Sequence, residues 1–302
     1  MEVVKVKNLK KQFSDLEVIK GLDFILKKGR CVALLGANGA GKTTTLQMLS
    51  GMMKPTSGSI EFSSMKSGED FRKLIGYLPQ HPVFYDWMTG REFLEYAGKL
   101  AGLQKKEAKE RTNELLELVG LSEAKNRRIG KYSGGMKQRL GIAQGIIHRP
   151  LLVMLDEPVS ALDPFGRREV LELLEQLKKE TTILFSTHIL NDAEEVCDEI
   201  LFLHKGKIVE SGTMDELRDK HQQAKIDLIF RGKTASYVEQ MSSLFNIQSV
   251  TYDGNKASIF VDNVEHARKI CLQELAEKNW PIIKFEISST SLEDVFMKVV
   301  QK

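Results

Sequence analysis

The sequence predicts an α/β chain whose core is a parallel sheet covered by helices, with antiparallel strands before it and a small α+β unit after it. Three short, uninterrupted apolar runs, at 31–35, 151–155 and 182–186, are typical of strands that helices bury on both faces. The first run leads directly into the glycine-rich stretch GANGAGKTT at 36–44. Strand-like and helix-like segments then alternate through 225–302 without a comparable motif. These observations favour two units, the larger of which is built around the loop at 36–44.

The chain begins with alternating apolar residues. Val4 and Val6, and then Leu22, Phe24 and Leu26, occupy every second position, as in strands that bury one face. We therefore expect antiparallel strands at the N-terminus, ahead of the parallel sheet.

Two amphipathic helices are predicted from apolar spacing. In the insert between the first two apolar runs, a buried face would be formed by Ala108, Leu115, Leu118 and Val119. A later helix would bury Val170, Leu173, Leu174 and Leu177. Pro164 at the first helical position, with Asp163 before it as the N-cap, indicates where this second helix begins.

The domain organisation follows from where the motifs stop. We place the larger unit at 1–220, with a helical subdomain at about 81–130, and the smaller unit at 221–302. The predicted elements of the smaller unit are a strand at 226–230, a helix at 236–244, a hairpin at Asp253–Gly254, a helix at 264–277, a strand at 282–287 and a helix at 292–300. This order is similar to a ferredoxin-like α+β sandwich.

Composition narrows the class of protein. A net charge of +3 over 302 residues gives no reason to expect a nucleic-acid partner. Cys31, Cys197 and Cys271 lie far apart, which disfavours a zinc site or a disulfide scaffold. No window reaches the ~18 to 20 apolar residues that span a bilayer, and the N-terminus lacks the features of a secretory signal. We expect a chain without membrane spans in a reducing cytoplasm.

The glycine-rich stretch has the pattern of a phosphate-binding loop. Gly36, Gly41, Lys42 and Thr43 match G-x-x-x-x-G-K-[ST], with a predicted strand before and a predicted helix after. Backbone N–H groups at the start of that helix would bind phosphate, assisted by the helix dipole. Lys42 would reach the β- and γ-phosphates, and the Thr43 hydroxyl would ligate Mg²⁺.

Two carboxylates follow the second apolar run, in LLVMLDEP. Asp156 and Glu157 stand at the carboxyl end of the predicted strand, where ligands bind in parallel sheets. Asp156 would hold Mg²⁺, and Glu157 would polarise the attacking water. The pair therefore predicts hydrolysis in addition to binding.

A longer stretch, YSGGMKQRLGIAQGIIHRPLLVMLDEPVSALDP at 132–164, resembles the ATP-binding-cassette (ABC) family of P-loop NTPases. That family commonly has LSGGQ as its signature, followed by the acidic strand and a SALD loop. Gln80 in GYLPQ and His188 in FSTHIL stand in the expected order, so the resemblance covers about 3–215. Met136 and Lys137 depart from the usual residues after the signature glycines.

The resemblance implies ATP and Mg²⁺ as cofactors and assigns residues to them. The phosphate-binding loop then comprises Gly36, Asn38, Gly39, Gly41, Lys42, Thr43 and Thr44. Gln80 would sense Mg²⁺ and the attacking water, and His188 would hold that water together with Glu157. Phe13 occupies the position at which the family stacks an aromatic ring on adenine.

The resemblance also implies a partner. In this family two cassettes pack head to tail, with ATP between the loop of one and the signature of the other. Ser133, Gly134 and Gly135 would therefore act on the nucleotide of the partner, here a second copy of the chain. Asp163 would communicate across the dimer in addition to capping its own helix.

The function implied is that of the ATPase subunit of a transporter. The transmembrane path would belong to a separate permease, which holds the cassette at the inner face of the cell membrane and docks on the insert from Gln80 to Gly130. The stretch STSLEDVFMKVV at 289–300 resembles cassettes of the drug, antibiotic and ion export branch, although a plain packing helix gives the same pattern.

Other functions of the same ATPase stay open. Ribosome-acting cassettes usually carry two motif sets in one chain, and this chain has one. Chromosome-maintenance ATPases separate the loop from the signature by a long coiled coil, and no sustained heptads occur here. Nutrient-import cassettes share the chemistry and differ in partner and direction.

Overall fold

The chain divides into a first unit, Met1–Met214, and a second unit, Asp215–Lys302. In the first unit, the alternating and apolar stretches of the sequence form the strands of two sheets. The structure is a computed structural model that describes residues 1–65, 70–160, 162–221, 225–241 and 246–288. The first strands and helices are β1 (Glu2–Phe13), β2 (Leu16–Lys27), β3 (Cys31–Leu35), α1 (Lys42–Leu49), β4 (Ser57–Phe62), β5 (Ile75–Leu78), α2 (Gly90–Leu100), α3 (Lys105–Leu118) and α4 (Gly134–Ile146). They are followed by β6 (Leu152–Asp156), α5 (Pro164–Leu177), β7 (Thr182–Thr187), α6 (Leu190–Val196), β8 (Glu199–His204) and β9 (Lys207–Thr213). The remaining elements are α7 (Met214–His221), β10 (Lys225–Phe230), α8 (Thr234–Met241), β11 (Ile247–Asp253), β12 (Lys256–Val261), α9 (Val264–Glu277) and β13 (Ile282–Ser288).

In the described part of the first unit, six strands form the central sheet, in the order β5-β6-β7-β3-β8-β9. The strands β5, β6, β7, β3 and β8 run parallel to one another, and β9 pairs antiparallel with β8. Every residue of β3, β6 and β7 is buried, so the prediction that the three apolar runs are strands of a parallel sheet is confirmed. Because β6, β7 and β3 are neighbours, the segments that follow them meet at one edge of the sheet.

A separate antiparallel sheet is formed by the N-terminal strands, in the order β2-β1-β4. The alternating residues Val4, Val6, Leu22 and Leu26 are at most 2% exposed, which confirms the predicted strands. They share a core with Val32 and Leu34 of β3 and Leu46 of α1. This shared core fixes both elements that flank the loop at 36–41.

The helices α2 and α3 lie within the stretch predicted as a helical subdomain, and α4 follows it. The predicted face of α3 is right for Ala108, Leu115 and Val119 but wrong for Leu118, which is only half-buried. Leu116 is buried instead. At about 100° per residue, positions 116 and 118 lie about 80° to either side of Ala108, so helical spacing alone does not choose between them.

The start of α5 agrees with the sequence. Asp163 Oδ1 accepts a hydrogen bond from Gly166 N at 2.9 Å, and Pro164 occupies the first turn. The predicted apolar face is buried, with Val170, Leu173, Leu174 and Leu177 each at most 4% exposed. Ala161, which precedes this cap in the SALD motif, lies outside the described residues.

In the described part of the second unit, four strands form an antiparallel sheet in the order β11-β12-β10-β13. Counted within the unit this is the 2-3-1-4 order of a ferredoxin-like sandwich. The residues of α8 and α9 that pack on this sheet include Val238, Met241, Ala267 and Cys271. The predicted strands, hairpin and helix at 264–277 are confirmed. The last residues of the helix predicted at 236–244 and the whole helix predicted at 292–300 lie outside the described residues.

Candidate functional site

The predicted site residues of the central sheet follow three neighbouring parallel strands. The loop at 36–41 follows β3. Asp156 ends β6 and Glu157 follows it, and Thr187 ends β7 and His188 follows it. In the sheet order β6-β7-β3 these segments meet at one carboxyl edge.

The loop needs glycine at both ends. A Cβ on Gly36 would lie 2.3 Å from Leu203 O, and one on Gly41 would lie 2.5 Å from Ile19 Cδ1. Gly41 also has a φ of 108°, and Gly39 has a φ of 80°, values that side chains rarely adopt. The glycines therefore allow the chain to turn from β3 into α1 against close neighbours, and the backbone N–H groups at the start of α1 face the loop.

Lys42 is turned back into this loop. Its Nζ lies 2.8 Å from Gly36 O, 3.3 Å from Ala37 O and 3.1 Å from Glu157 Oε1. These acceptors match the three N–H donors of an ammonium group. The side chains of Lys42 and Glu157 are each only 6% exposed, so the pair is a buried one whose charges compensate each other.

Glu157 is held through its side chain and its backbone. Its Oε2 lies 2.7 Å from His188 Nδ1, and its Oε1 contacts Lys42. Its backbone has a φ of 50°, a left-handed conformation that is uncommon outside glycine, asparagine and aspartate. The His188 side chain, by contrast, is 40% exposed, so part of the imidazole is open to solvent.

Ser186 links the two neighbouring carboxylate residues and was not found from the sequence. Its Oγ donates to Asp156 Oδ1 at 2.6 Å and accepts from Glu157 N at 2.9 Å. Ser186 is fully buried on β7, directly opposite Asp156 in the register. Only the strand order β6-β7 brings these residues together, so no signal in the sequence identifies the contact.

The other oxygen of Asp156 fits a metal ligand. Asp156 is 1% exposed, and its Oδ2 is buried without a hydrogen-bond partner in the part of the chain that the structure describes. A buried carboxylate oxygen without a partner is uncommon in folded proteins. Oxygen ligands of this kind are the ones that Mg²⁺ prefers.

A cavity of about 380 Å³ opens beside the loop. It is lined by Val18, Asn38, Gly39, Gly41, Lys42, Thr43, Thr44, Gln80 and Glu157. The structure thus brings Gln80, which is distant in sequence, to the loop and to Glu157. Val18 of β2 also lines the cavity and was missed, since its alternation in β2 indicates only a strand.

Phe13 is not among the residues that line this cavity. It lies at the end of β1, opposite Leu16, and is 43% exposed. Lys11 Nζ lies over its ring at 4.9 Å from the centroid, a cation–π distance. One face of the ring is therefore covered by Lys11, although the side chain as a whole is partly exposed.

The signature residues lie at the start of α4, away from the cavity lining. Ser133 caps the helix, with its Oγ accepting from Met136 N at 3.2 Å. Ser133 and Gly134 are exposed, and a Cβ on Gly134 would meet nothing within 4 Å. A Cβ on Gly135 would lie 3.8 Å from Gly166 Cα, so the starts of α4 and α5 are close together.

A chain of contacts joins α5 to the histidine loop. Arg167 of α5 donates to Asp192 Oδ1 at 2.5 Å, and Thr187 Oγ1 donates to Asp192 Oδ2 at 3.3 Å. Burial raises the pKa of Asp192, and the Arg167 guanidinium opposes that rise. Thr187, which precedes His188, is thereby connected to α5 through Asp192.

A second, larger cavity of about 670 Å³ lies beside β5 and is lined by residues of β5, α2, α4 and the loop at 83–85. Its lining includes the aromatic side chains Tyr77, Phe84, Tyr85, Phe93 and Tyr96. Near its rim Val83 is 91% exposed and Trp87 is 69% exposed. Exposed apolar surface of this kind marks interaction sites, and the loop that carries it begins next to Gln80.

Among the described residues, no helix is both long and apolar enough to cross a membrane.

Comparison with known proteins gives matches over both units. Residues 19–160 match the family described as ABC transporter, and residues 212–300 match that described as ATP-binding protein DrrA1-3-like, C-terminal domain. The chain is 45% identical over 298 residues to the ABC transporter ATP-binding protein YxlF of Bacillus subtilis (strain 168), with 99% of each chain covered. It is 35% identical to the bacitracin transport ATP-binding protein BcrA of Bacillus licheniformis, over 99% of this chain and 97% of the relative. A solved dimeric structure of a bacterial ABC transporter cassette matches with a TM-score of 0.63 at 25% identity, over 70% of this chain and 98% of the other.

Proposed function

Because the chain belongs to the ABC transporter family and is an ATP-hydrolysing cassette, we propose that it drives export of a substrate by a separate membrane permease. The observation that carries the proposal is the contact of Lys42 and His188 with Glu157 at the ends of neighbouring strands. Export is supported by similarity along the whole chain to BcrA, a bacitracin transport ATP-binding protein. It is also supported by the DrrA1-3-like match at 212–300.

Nucleotide binding uses Lys42 and the loop. The phosphates of ATP take over the Lys42 ammonium from Gly36 O and Glu157, while the N–H groups at the start of α1 bind their oxygens. Asn38, Gly39 and Thr44 line the same cavity and complete the cradle. Phe13 stacks on adenine, which its 43% exposure permits.

The cation site consists of Thr43, Asp156 and Gln80. The buried, unpartnered Oδ2 of Asp156 supports this assignment, and Thr43 and Gln80 line the cavity beside it. When Mg²⁺ is bound there, it neutralises charge on the phosphates.

Hydrolysis uses Glu157 and His188. Once Lys42 turns to the phosphates, Glu157 Oε1 is free to accept a proton from the attacking water. His188 keeps the other oxygen in place at 2.7 Å, and the exposed part of its ring is available to the γ-phosphate. Gln80 lines the same cavity as Glu157 and senses Mg²⁺ and the attacking water.

A second copy of the chain completes the site. The exposed Ser133 and Gly134, together with the half-buried Gly135, bind the nucleotide held by the partner. Asp163 lies at the same surface because α4 and α5 begin close together. The match to a dimeric cassette supports this arrangement. The γ-phosphate then joins the two copies, and hydrolysis releases them.

The permease docks at the cavity of about 670 Å³ beside β5. An apolar or aromatic side chain from a cytoplasmic segment of the permease fits a pocket lined by Phe84, Phe93 and Tyr96. This contact holds the cassette at the inner face of the cell membrane. The loop from Gln80 to Tyr85 connects it to the nucleotide cavity.

The test is purification of the Glu157→Gln protein from native membranes in mild detergent with ATP and Mg²⁺. We expect a protein with several membrane spans to copurify in stoichiometric amount, and less of it with Lys42→Ala, which loses the phosphate contact. Ribosomal or chromosomal partners without a membrane protein would overturn the transport proposal and leave the ATPase chemistry intact. A copurifying nutrient-import permease would overturn export alone.

A further inference from the structure

Asp192 is a buried acidic residue to which the proposed mechanism gives no role. It is fully buried in the first turn of α6, shortly after His188. Two nitrogens of the Arg167 guanidinium, Nε and one terminal nitrogen, each lie 2.5 Å from its Oδ1. Burying a carboxylate is costly unless its charge is compensated, so this contact fixes Asp192 relative to α5.

The second oxygen of Asp192 holds the residue before His188. Thr187 Oγ1 donates to Asp192 Oδ2 at 3.3 Å and accepts from Ile189 N at 2.9 Å. Ile189 O lies 3.4 Å from the same hydroxyl, but a carboxylate is a stronger acceptor than a carbonyl. Ile189 is the N-cap of α6 and has no side-chain cap of its own. The Thr187 hydroxyl therefore closes the turn that spans His188.

The backbone of Thr187 is held as well. Its carbonyl oxygen accepts from Gly36 N, the first residue of the loop at 36–41, at 3.2 Å. The side chain of His188 is 40% exposed and makes one hydrogen bond among the described residues, to Glu157. The direction of the imidazole is therefore set by the fixed backbone on either side of it.

Arg167 connects this arrangement to the start of α5. Its backbone N–H donates to Asp163 O at 2.9 Å, so it lies one turn after the cap of that helix. The start of α5 lies beside the start of α4, where Ser133 and Gly134 are exposed. A displacement of α5 therefore reaches Asp192 through the ion pair with Arg167.

We propose that Arg167 and Asp192 position His188 against Glu157 and couple that position to the start of α5. Asp192 is then a positioning residue: it acts through Thr187 and is not among the residues that line the nucleotide cavity. The inference rests on the proposed function, in which His188 and Glu157 act on the attacking water. It adds that the approach of a second copy to α4 and α5 adjusts the contact of His188 with Glu157.

A path of contacts does not by itself establish coupling, because the same ion pair also holds α5 against α6. A purely structural role predicts a loss of stability, with turnover falling only as far as folded protein is lost. A positioning role predicts a lower kcat in folded protein. It also predicts that the effect depends on the presence of His188.

The decisive experiment is a double-mutant cycle of Asp192→Ala and His188→Ala in the full chain. We expect Asp192→Ala to lower kcat by about tenfold or more, with KM for ATP within about twofold of wild type, because a misplacement of about 1 Å costs up to about 10²-fold in rate. In the His188→Ala background we expect Asp192→Ala to lower kcat by less than about twofold, since no imidazole is left to position. Phosphate release in single turnovers with protein in excess measures the slow variants.

The outcomes separate this inference from the proposed function. A further loss of about tenfold in the His188→Ala background would overturn the positioning role and leave the role of His188 intact. Wild-type turnover in His188→Ala would refute the role of His188 in the proposed function, and the positioning role with it. Urea unfolding of each variant establishes that folded proteins are compared.

Thr187 provides a second test that leaves the buried charges in place. Thr187→Val removes the hydroxyl and keeps the shape of the side chain, whereas Thr187→Ser keeps the hydroxyl. We expect kcat to fall by about tenfold in Thr187→Val and to be largely retained in Thr187→Ser. Equal kcat in the two variants would overturn the proposal, whether or not Asp192→Ala folds.

Arg167→Gln tests the connection to α5, and Arg168→Gln is its matched control. Arg168 lies on the same helix and forms an exposed ion pair with Glu172, away from Asp192. We expect kcat to fall by about tenfold in Arg167→Gln and to be unchanged in Arg168→Gln. Equal kcat in the two folded variants would overturn the coupling of His188 to α5.

Discussion

At the scale of single residues, the contact between Lys42 and Glu157 occupies the two groups that we propose bind phosphate and activate water. The ammonium has its three acceptors, and both carboxylate oxygens have partners. In this arrangement neither side chain is available to phosphate or to water. ATP binding therefore has to break a buried ion pair, and the same event frees the group proposed as the base.

Glu157→Gln separates binding from hydrolysis. The amide cannot accept the proton from water, so we expect turnover to fall by about 10²- to 10⁴-fold. Lys42 no longer has a charged competitor for the phosphates, so ATP affinity is expected to be unchanged or higher, with the closed dimer accumulating. Phosphate release measures the turnover, nucleotide binding measures the ATP affinity, and the molecular mass of the protein in the presence of ATP measures the accumulation of the dimer. Equal turnover in variant and wild type would show that Glu157 is not the base.

Ser186→Ala probes the hydroxyl that links Asp156 to Glu157. It removes a hydrogen bond from the carboxylate and leaves the Glu157 N–H buried without its acceptor, at a cost of about 1 to 3 kcal/mol in the free energy of unfolding. We expect lower kcat and a higher Mg²⁺ concentration for half-maximal activity, since both carboxylates lose their positioning. Ser186→Thr retains the hydroxyl and is the matched control. Unchanged Mg²⁺ dependence in a folded Ser186→Ala protein would restrict the role of Ser186 to stability.

The loop and the two carboxylates could be predicted because each motif is short and its chemistry is specific, whereas His188 was placed by the resemblance to the ABC family. Ser186 could not, because it reaches the site through the pairing of β7 with β6. Val18 could not, because its strand belongs to the other sheet and packs against the loop at Gly41. The orientation of Lys42 toward Glu157 could not be predicted either. It depends on where two loops, more than a hundred residues apart in the sequence, meet at the sheet edge.

At the scale of elements, the cap of α5 has two proposed roles that substitution can separate. Asp163→Ala removes the acceptor for Gly166 N and is expected to cost about 1 kcal/mol in the free energy of unfolding. Asp163→Asn keeps an acceptor and restores most of that stability. If Asp163 also communicates across the dimer, ATPase activity stays low in Asp163→Asn although its stability recovers. If ATPase activity recovers together with stability in Asp163→Asn, the role of Asp163 is to cap α5.

The helix α9 provides a dependence on pH. Burial raises the pKa of the Cys271 thiol to about 12 from an ordinary value of 9.0. The folded state favours the neutral thiol, so this contribution to stability is complete below pH 9.0 and is lost as the pH rises toward 12. The loss is at most about 1.4 kcal/mol per pH unit.

Urea unfolding at about pH 8 and about pH 10.5 measures this effect. We expect Cys271→Ala to be less stable than wild type at the lower pH and the difference to shrink at the higher pH. Other groups titrate equally in both proteins, so the comparison isolates the thiol. A difference that does not change with pH would contradict the assignment.

The elements predicted from uninterrupted apolar runs agree closely with the structure, whereas the predicted inward face of α3 agrees only in part. The runs that form β3, β6 and β7 are buried on both sides, so every position in them is apolar or buried and the assignment does not depend on choosing a face. On α3 three leucines lie within four positions, at Leu115, Leu116 and Leu118, and spacing alone assigned the wrong one. Contacts with neighbouring helices decide such cases.

At the scale of the whole molecule, the exposed aromatic side chains near the cavity beside β5 are proposed to bind the permease. We expect Tyr85→Ala combined with Trp87→Ala to reduce the permease recovered with the Glu157→Gln protein, because both side chains are more than half exposed and free to contact a partner. Tyr252→Ala, which removes an aromatic side chain that is 50% exposed in the second unit, is the control. Equal recovery with both proteins would place the permease contact elsewhere.

A parallel core sheet and a ferredoxin-like unit could be predicted from the sequence, but which strands lie at the edges of the sheets could not. That β13 lies at an edge, with Ile283 and Ile287 exposed, depends on which strands pair. The apolar cavity beside β5 likewise needs three separate elements to form its walls.

The division of the chain into two units also bears on how such proteins diversify. Every residue proposed to handle ATP lies between Phe13 and His188, whereas the second unit begins at Asp215. The two family matches, at 19–160 and 212–300, fall on either side of that division. Selection can therefore alter residues of the second unit through mutations that leave the residues proposed for hydrolysis untouched. Related cassettes diverge in this way in their second unit while the ATP chemistry is inherited unchanged.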